Sequence, residues 1–405
     1  MVKMFDPLSR EFCENPYRFY EELREATEPV YFEAQNMWML SRYEDVTKIA
    51  ANTKMVRSLQ GISSHSELMK SQQEANWHEM PYHEKVVQFS LLDSDGDIHR
   101  RLRKQVFGYF TGHAVAGLEP MVRQFVETLL DAQRGKDHFD FIADFAAHIP
   151  GYVIGKLLGA PKEDCLQLRL WSEQVVQFFD VDRSDEKKEI AETATREFYY
   201  YLEDLKQQRQ AAPADDLISH MIRDEADGKY TQDEFISTCM LILMAGHGST
   251  IDVLGSGMHT LINSPDAQSS LRDDPSKLPN GIQEMFRYEP PLPFFHRHAL
   301  EDISVHGRHF PSGTTFGLLY GAANHDPRQF PEPDKFQIER NPNRHVAFGQ
   351  GAHLCLGNHL ARLNMKVIFE TLLSRFAGFE QVDERVEYKR GLSVRGPKTL
   401  NIRCY

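Results

Sequence analysis

The chain has 405 residues with 59 acidic and 46 basic side chains, a formal net charge of −13, which favours solubility and argues against a nucleic-acid surface. Its five cysteines (Cys13, Cys165, Cys239, Cys355, Cys404) are odd in number, scattered and without CxxC spacing, so disulfides and zinc are not expected and a reducing cytoplasm fits. No apolar run of membrane-spanning length and no signal-peptide core stand out, so neither a membrane nor nucleic acid is an expected partner.

Length alone would allow two or three domains. No Gly/Ser-rich linker, repeat or low-complexity tract divides the chain, and we read residues 1–405 as a single domain. Pro16 to Ala26 reads as a helix, with Tyr17, Tyr20 and Leu23 three apart and Asn15 as its cap. Val30–Phe32 and Met37–Ser41 read as a short strand pair, and Asp45–Ala51 as a helix. From Ser58 to Lys85 the composition turns polar, with Trp77, Tyr82, His65, His78 and His83; a mobile loop with short helical pieces is expected there. Helical patterns then dominate from Arg100 to Ser264. Asp215 and Asp216 open one helix after Pro213. Gln232–Asn263 is an apolar stretch, too interrupted for a membrane span but suited to a central buried helix. After Arg287 the texture changes to short strands and Pro/Gly turns at Ile303–Val305, Phe310–Gly313 and Thr315–Leu318. A helix returns at Leu360–Phe376, and the tail is strand-like around Val386 and Leu400. The fold class is mainly α with small β-sheets, not a βαβ repeat.

Chemistry concentrates in the run Phe348-Gly349-Gln350-Gly351-Ala352-His353-Leu354-Cys355-Leu356-Gly357. Glycines admit turns that a Cβ forbids and let backbone approach a ligand closely. The helical segment that follows, Asn358 to Arg362, directs amide N–H groups towards the sulfur and favours its anion. Only a thiolate binds metal, and one cysteine thiolate on haem iron is a known arrangement for oxygen chemistry. A buried structural cysteine is the bland alternative.

The spacing Phe-x-x-Gly-x-x-x-Cys-x-Gly at Phe348, Gly351, Cys355 and Gly357 resembles the haem-binding signature of the cytochrome P450 family, and His353 resembles its soluble bacterial, class I members. The resemblance runs from the Asn15-Pro16-Tyr17 region to the last few residues. It implies a helix-rich triangular prism around a buried haem b, with Cys355 as the axial iron ligand and Phe348, Gly349 and Gly357 lining the cofactor. Glu284 and Arg287 match the family's Glu-x-x-Arg, a structural pair holding the cysteine loop; Lys335 stands where relatives often place a partner arginine, with Arg340 the other candidate. His99, Arg103, Arg297 and His353 are the implied propionate contacts, and His99 and Arg103 share a helix face.

Met244-Ala245-Gly246-His247-Gly248-Ser249-Thr250 resembles the family's distal motif. Ala245 and Gly246 imply close passage over the cofactor, and Ser249 with Thr250 are the implied catalytic hydroxyls. Gly248 replaces the usual acid. Asp252, one turn on, lies within roughly 40° of the missing acid's direction, whereas His247 points roughly 100° away. The implied substrate pocket comprises Phe89, Leu241, Met244, Phe294, Phe295 and Val394. Arg100, Arg101, Arg103 and Lys104 form a basic cluster suited to an acidic ferredoxin.

The resemblance thus implies an oxidoreductase of secondary metabolism, a monooxygenase inserting one oxygen atom of O2 into a C–H bond by hydroxylation or O-dealkylation. Its partners would be a small-molecule substrate and an external ferredoxin or flavodoxin with its reductase. Alternatives are peroxide-driven or non-hydroxylating oxidation (coupling, desaturation), a non-catalytic haem sensor or carrier, and a Cys–His hydrolase.

Overall fold

The computed structural model describes residues 6–59 and 62–405. Its backbone forms two compact units: Met1–Met55, Val115–Ile149 and Ser249–Tyr405 make the first, and Val56–Ala114 with Pro150–Gly248 the second.

A five-stranded sheet organises the first unit. Its strands are β1 (Val30–Phe32), β2 (Met37–Leu40), β3 (Met55–Val56), β4 (Phe294–Ala299) and β5 (Thr315–Leu319), in the order β1-β2-β5-β4-β3. β2 runs parallel to β5, pairing Trp38 with Phe316, and β4 runs antiparallel to it, pairing Phe294 with Leu319. Leu40, Phe316 and Leu318 carry the sheet into a core with Val46 and Ile49. Helix α1 (Tyr17–Glu25) precedes the sheet, its first amide capped by the Asn15 side chain at 3.1 Å, and α2 (Tyr43–Ala51) follows β2.

The tail differs from the expectation at Val386. No regular strand forms there; a single bridge pairs Tyr388 with Pro397, closed by backbone bonds from Lys389 to Gly396 and from Lys398 to Glu387. Strand Asn401–Cys404 pairs with Phe139–Asp140 and Phe379–Gln381. Arg395 is buried, donating to Glu289 at 2.6 Å and to the Cys13 carbonyl at 2.9 Å, while the Tyr17 hydroxyl donates to Glu289 at 2.9 Å. Residues at both ends of the unit's sequence therefore share one buried ion pair.

The second unit begins with α3 (His65–Glu74), α4 (Pro81–Gln88) and α5 (Gly96–Phe107). The polar stretch after Ser58 is thus largely regular helix rather than loop; Gln60 and Gly61 lie outside the described residues. Ser64 and Glu67 form a capping box, satisfying two otherwise orphaned amides, and Pro81 opens α4 at a position where its missing N–H costs nothing. Trp77, expected in that loop, is packed against His83, Phe178 and Phe179 with ring centroids 4.9 to 5.5 Å apart.

Helix α6 (Gln232–Ile262) spans 31 residues. Both it and the segment Phe141–Leu158 are long and apolar enough to cross a membrane, with mean hydropathy of 1.3 and 1.2, which corrects the reading that no such run exists. Their apolar windows are 72% and 67% buried inside the protein, the pattern of core helices. The first unit closes with α7 (Leu278–Tyr288) and α8 (Asn358–Arg375).

Candidate functional site

The Cys355 loop is held by its own backbone. The Gly349 amide donates to the Val346 carbonyl at 2.9 Å, Leu354 to Gly351 at 3.1 Å and Cys355 to Phe348 at 2.9 Å. The Asn324 side chain accepts from the Val346 amide at 2.8 Å, and Asn358 donates to the Cys355 carbonyl at 2.8 Å. Gly349 and Gly351 sit at φ +68° and +74°, conformations that favour glycine. A Cβ at Gly351 would lie 2.7 Å from the Ala50 carbonyl, so space and backbone both demand glycine there. Gly357 is different: its φ is −84°, and a Cβ would meet no protein atom within 4 Å.

Cys355 is half-buried just before α8, and His353 is half-buried in the turn Gly351–His353. Phe348 lies between the Phe286 ring, 4.6 Å away, and the Arg362 guanidinium, 4.3 Å from its centroid. Burial pulls the Arg362 guanidinium below its ordinary range, and the charge of Cys355 opposes that pull. A cation from the first turns of α8 thus lies within electrostatic reach of the sulfur. Burial pushes the thiols of the other four cysteines, Cys13, Cys165, Cys239 and Cys404, upwards. Arg362 belonged to the segment read as helix, but its relation to Cys355 was not drawn from sequence. The signal available was a cation seven positions after the cysteine, two helical turns on.

Beneath the loop, Glu284 and Arg287 are fully buried and paired through two bonds of 2.7 Å. Arg340 is the third member, its Nε donating to both Glu284 oxygens at 3.1 and 3.2 Å. Lys335, placed by sequence where a partner arginine was expected, instead turns its amine outward to Glu332; only its carbonyl joins, accepting from Arg287 and Arg340. The physical reason is burial: a guanidinium can distribute its donors over several carbonyls, here those of Pro331, Glu332 and Lys335, where a lysine ammonium would be left short of partners. Arg287 also donates to the Asn324 carbonyl at 2.9 Å, so the network reaches the residue that holds Val346.

His345 lies in the same wall. It is stacked on Phe286, bonded to Gln283 at 3.2 Å, and its pKa is lowered to about 3 by burial and by Arg362 and Arg287.

Helix α6 is buried along most of its length. Between Glu234 and Met258 only Leu241, Ala245, Gly246, Gly248 and Ser249 are not buried. Leu241, Ala245, Gly248 and Ser249 fall within roughly 100° of one another on the helix, a single stripe. A Cβ at Gly248 would meet nothing within 4 Å, whereas one at Gly246 would press on Ile154 at 2.7 Å. Met244 is buried beside the stripe, and Thr250 is buried on roughly the opposite side of the helix. His247 points elsewhere, bonded back to the Leu243 carbonyl and packed against Gly151. Asp252 continues the azimuth of the stripe but is covered there: it is 1% exposed and paired with Lys389 at 2.7 Å.

Of the expected propionate contacts, Arg297 is buried on β4, donating to the His296 carbonyl at 2.8 Å, and lies in the first unit with His353 and Cys355. His99 and Arg103 lie in the second unit on α5, His99 buried and Arg103 half-buried. Among the expected pocket residues, Phe294 packs on the sheet, 2.8 Å from where a Gly317 Cβ would stand. Phe295 packs against the core and faces Tyr320 at 5.9 Å. Val394 lines a small cavity of about 10 Å³ with Phe12, Cys13 and Pro293. Phe89 is half-buried at the end of α4.

The basic cluster on α5 is partly consumed. Arg101 donates to Glu234 and to the Lys229 carbonyl at 2.7 Å, fastening the start of α6, and Arg100 pairs with Asp97.

A half-buried cysteine in a glycine-defined loop, above a buried Glu–Arg–Arg network, is the kind of site at which a thiolate can hold a metal cofactor. Sequence comparison agrees: the cytochrome P450 sequence model matches residues 162–403. The chain belongs to the cytochrome P450 family. It is 33% identical over 398 residues to a biotin biosynthesis cytochrome P450 of Bacillus subtilis (strain 168), covering 97% of each chain. Identity is 32% over 413 residues to the 6-deoxyerythronolide B hydroxylase of Saccharopolyspora erythraea, covering 100% of this chain and 99% of the other. The crystal structure of P450BioI with a hexadec-9Z-enoic acid-ligated acyl carrier protein superposes with a TM-score of 0.90 at 31% identity, covering 98% of this chain and 99% of that one.

The mainly α fold with small sheets is therefore the P450 fold, and the protein is a P450 monooxygenase, an oxidoreductase. Its family binds haem through a cysteine thiolate. The residues present fit that group on the cysteine side: Cys355 is half-buried just before α8, in a loop whose Gly349 and Gly351 take positive φ.

Proposed function

We propose that residues 1–405 act as one domain, a cytoplasmic, soluble haem b monooxygenase that inserts one oxygen atom of O2 into a C–H bond of a small organic substrate. The observation carrying this reading is the Cys355 loop, whose positive-φ glycines hold a half-buried cysteine at the start of a helix, within electrostatic reach of Arg362. Cys355 Sγ would bind the iron, with Phe348, Gly349 and Gly357 beside it. His99, Arg103, Arg297 and His353 would take the two propionates by charge-assisted bonds. When bound, the haem supplies dioxygen activation and oxygen transfer.

The chain's own residues supply position and protons. Ala245 leaves room on α6; the Ser249 hydroxyl, with Thr250 behind it, holds a proton over the uncovered stripe. Leu241, Met244, Phe89, Phe294, Phe295 and Val394 would bound the substrate. One relative is named for hydroxylating 6-deoxyerythronolide B, and one neighbouring structure holds a fatty acyl chain on an acyl carrier protein. These support a polyketide-like or fatty-acyl substrate, consistent with secondary metabolism. Electrons would arrive from a ferredoxin or flavodoxin and its reductase. Lys104 would be the steering cation, Arg101 being held by Glu234, Arg100 paired with Asp97 and Arg103 assigned to a propionate.

Reduced protein treated with carbon monoxide is expected to show the red-shifted absorption of thiolate ligation. Its absence, or its survival in Cys355→Ser, would overturn the reading. Gly248 favours one second reading, peroxide-driven or non-hydroxylating oxidation. Turnover with hydrogen peroxide exceeding that with ferredoxin, reductase and NADPH would establish it.

A further inference from the structure

The missing acid at Gly248 has a counterpart that the fold hides. Asp252 stands four residues further along α6, within roughly 40° of Gly248's direction, and three residues beyond Ser249, the spacing at which side chains on a helix meet. Its carboxylate is 1% exposed, yet its partner Lys389, at 2.7 Å, has a side chain 35% exposed. The pair therefore runs from solvent to the buried end of the Ser249 stripe. The tail is shaped around it: a Cβ at Gly396 would overlap the Asp252 carboxylate, and the Lys389 amide donates to the Gly396 carbonyl at 2.9 Å. A carboxylate taken from water persists when paired, and this one is paired by a cation that itself touches water.

We infer that Lys389 and Asp252 form a displaced proton entry that serves Ser249 in place of an acid at position 248. This rests on the monooxygenase reading above. In the step, a proton passes from Lys389 Nζ to an Asp252 oxygen. Asp252 hands it to Ser249 Oγ, whose own hydroxyl proton moves into the stripe, and Lys389 regains a proton from water. No electrons move and no bond to carbon changes. Asp252 thereby acts through Ser249 and is a positioning and relay residue; Gly396 keeps its carboxylate in place.

The test uses the haem-loaded protein and four variants: Asp252→Asn, Lys389→Met, Lys389→Arg and Gly396→Ala. Asp252→Asn is expected to lower product formed per O2 consumed on the order of tenfold, with the deficit released as peroxide. Lys389→Met should fall in the same direction and Lys389→Arg should recover coupling. Gly396→Ala, which displaces the carboxylate without removing it, should uncouple too. A readout independent of turnover is the infrared carboxylate stretch obtained by subtracting Asp252→Asn from the native spectrum in H2O and D2O. That band should shift in Lys389→Met.

Unchanged coupling in Asp252→Asn with the carbon-monoxide band intact would overturn the relay while leaving the monooxygenase standing. Loss of that band in the native protein would instead overturn the function itself. Uncoupling that Lys389→Arg fails to restore, with increased hydrogen exchange across residues 387–398, would make the pair a tail clamp and overturn the relay.

Discussion

The Cys355 loop and the middle of α6 face opposite requirements. In the loop, nearly every turn is fixed from within: two positive-φ glycines, a backbone contact at Ala50, and a buried charge network reaching it through Asn324. In α6, the stripe from Leu241 to Ser249 is constrained on its inner side by Ile154 and Gly151, but its outer side touches no side chain at Gly248. The contrast explains why the cysteine motif is intact here while the distal motif departs from type. A change in the loop should disturb folding; a side chain added at position 248 should have little effect on packing.

The largest test of that contrast lies under the loop. Arg340→Met removes one of the two cations on the buried Glu284 carboxylate, leaving Arg287 with the neutral donors Gln337 N–H and Asn343, and should cost about 3–5 kcal/mol in urea unfolding. Lys335→Ala, whose amine is at the surface, should stay within about 0.5 kcal/mol. Equal losses would mean that the carbonyl cage, rather than the guanidinium, holds the network. Next comes Gly351→Ala. Strain at φ +74° and the clash with Ala50 should lower stability by about 1–3 kcal/mol. Its thermal midpoint should fall clearly below that of Gly357→Ala, where no atom opposes a Cβ.

A smaller, pH-dependent effect comes from His345. Burial holds its folded pKa at about 3, below the unfolded value of about 6.5, so the unfolded chain binds the extra proton between those values. Stability is therefore fully present above pH 6.5 and lost as pH falls towards 3, by up to about 1.4 kcal/mol per unit for this group. Urea titrations at pH 7 and pH 5 should show a gap that narrows in His345→Gln; an unchanged gap would place the acid sensitivity elsewhere. The smallest effect belongs to the other region. Gly248→Ala should stabilise α6 by about 0.5–1 kcal/mol, since alanine is the better helix former and space is open. Destabilisation would show that the stripe is less free than its geometry indicates.

The long elements were legible in sequence because their signals are local. The Tyr17–Leu23 periodicity, the apolar run that became α6 and the turns around Gly313 all depend on neighbours within a few residues. The Glu284–Arg287 pair was legible for the same reason. Its third partner was not: Lys335 and Arg340 are five apart in a loop, and only the fold decides which one turns inward. The segment after Ser58 misled because its polarity outweighed the capping signature Ser64-x-x-Glu67, which was present to be read. Helix geometry gives the azimuth of Asp252, but its burial beneath Gly396 and its pairing with Lys389 join residues over a hundred positions apart. The packing of buried Phe294 and half-buried Phe295 depends likewise on β5, which no local pattern in β4 announces.

Arg395, Glu289, Tyr17 and the Cys13 carbonyl meet in one buried cluster. A chain emerging from the ribosome cannot complete that cluster when its first helix appears; Tyr17 must wait until residue 395 has been synthesised. The first unit is thereby committed to closing late, once residue 395 has been made, and long-range closure of this kind is slow and exposed to aggregation. Yield in a heterologous host should accordingly respond more to slower growth and chaperone supply than to changes near the amino terminus.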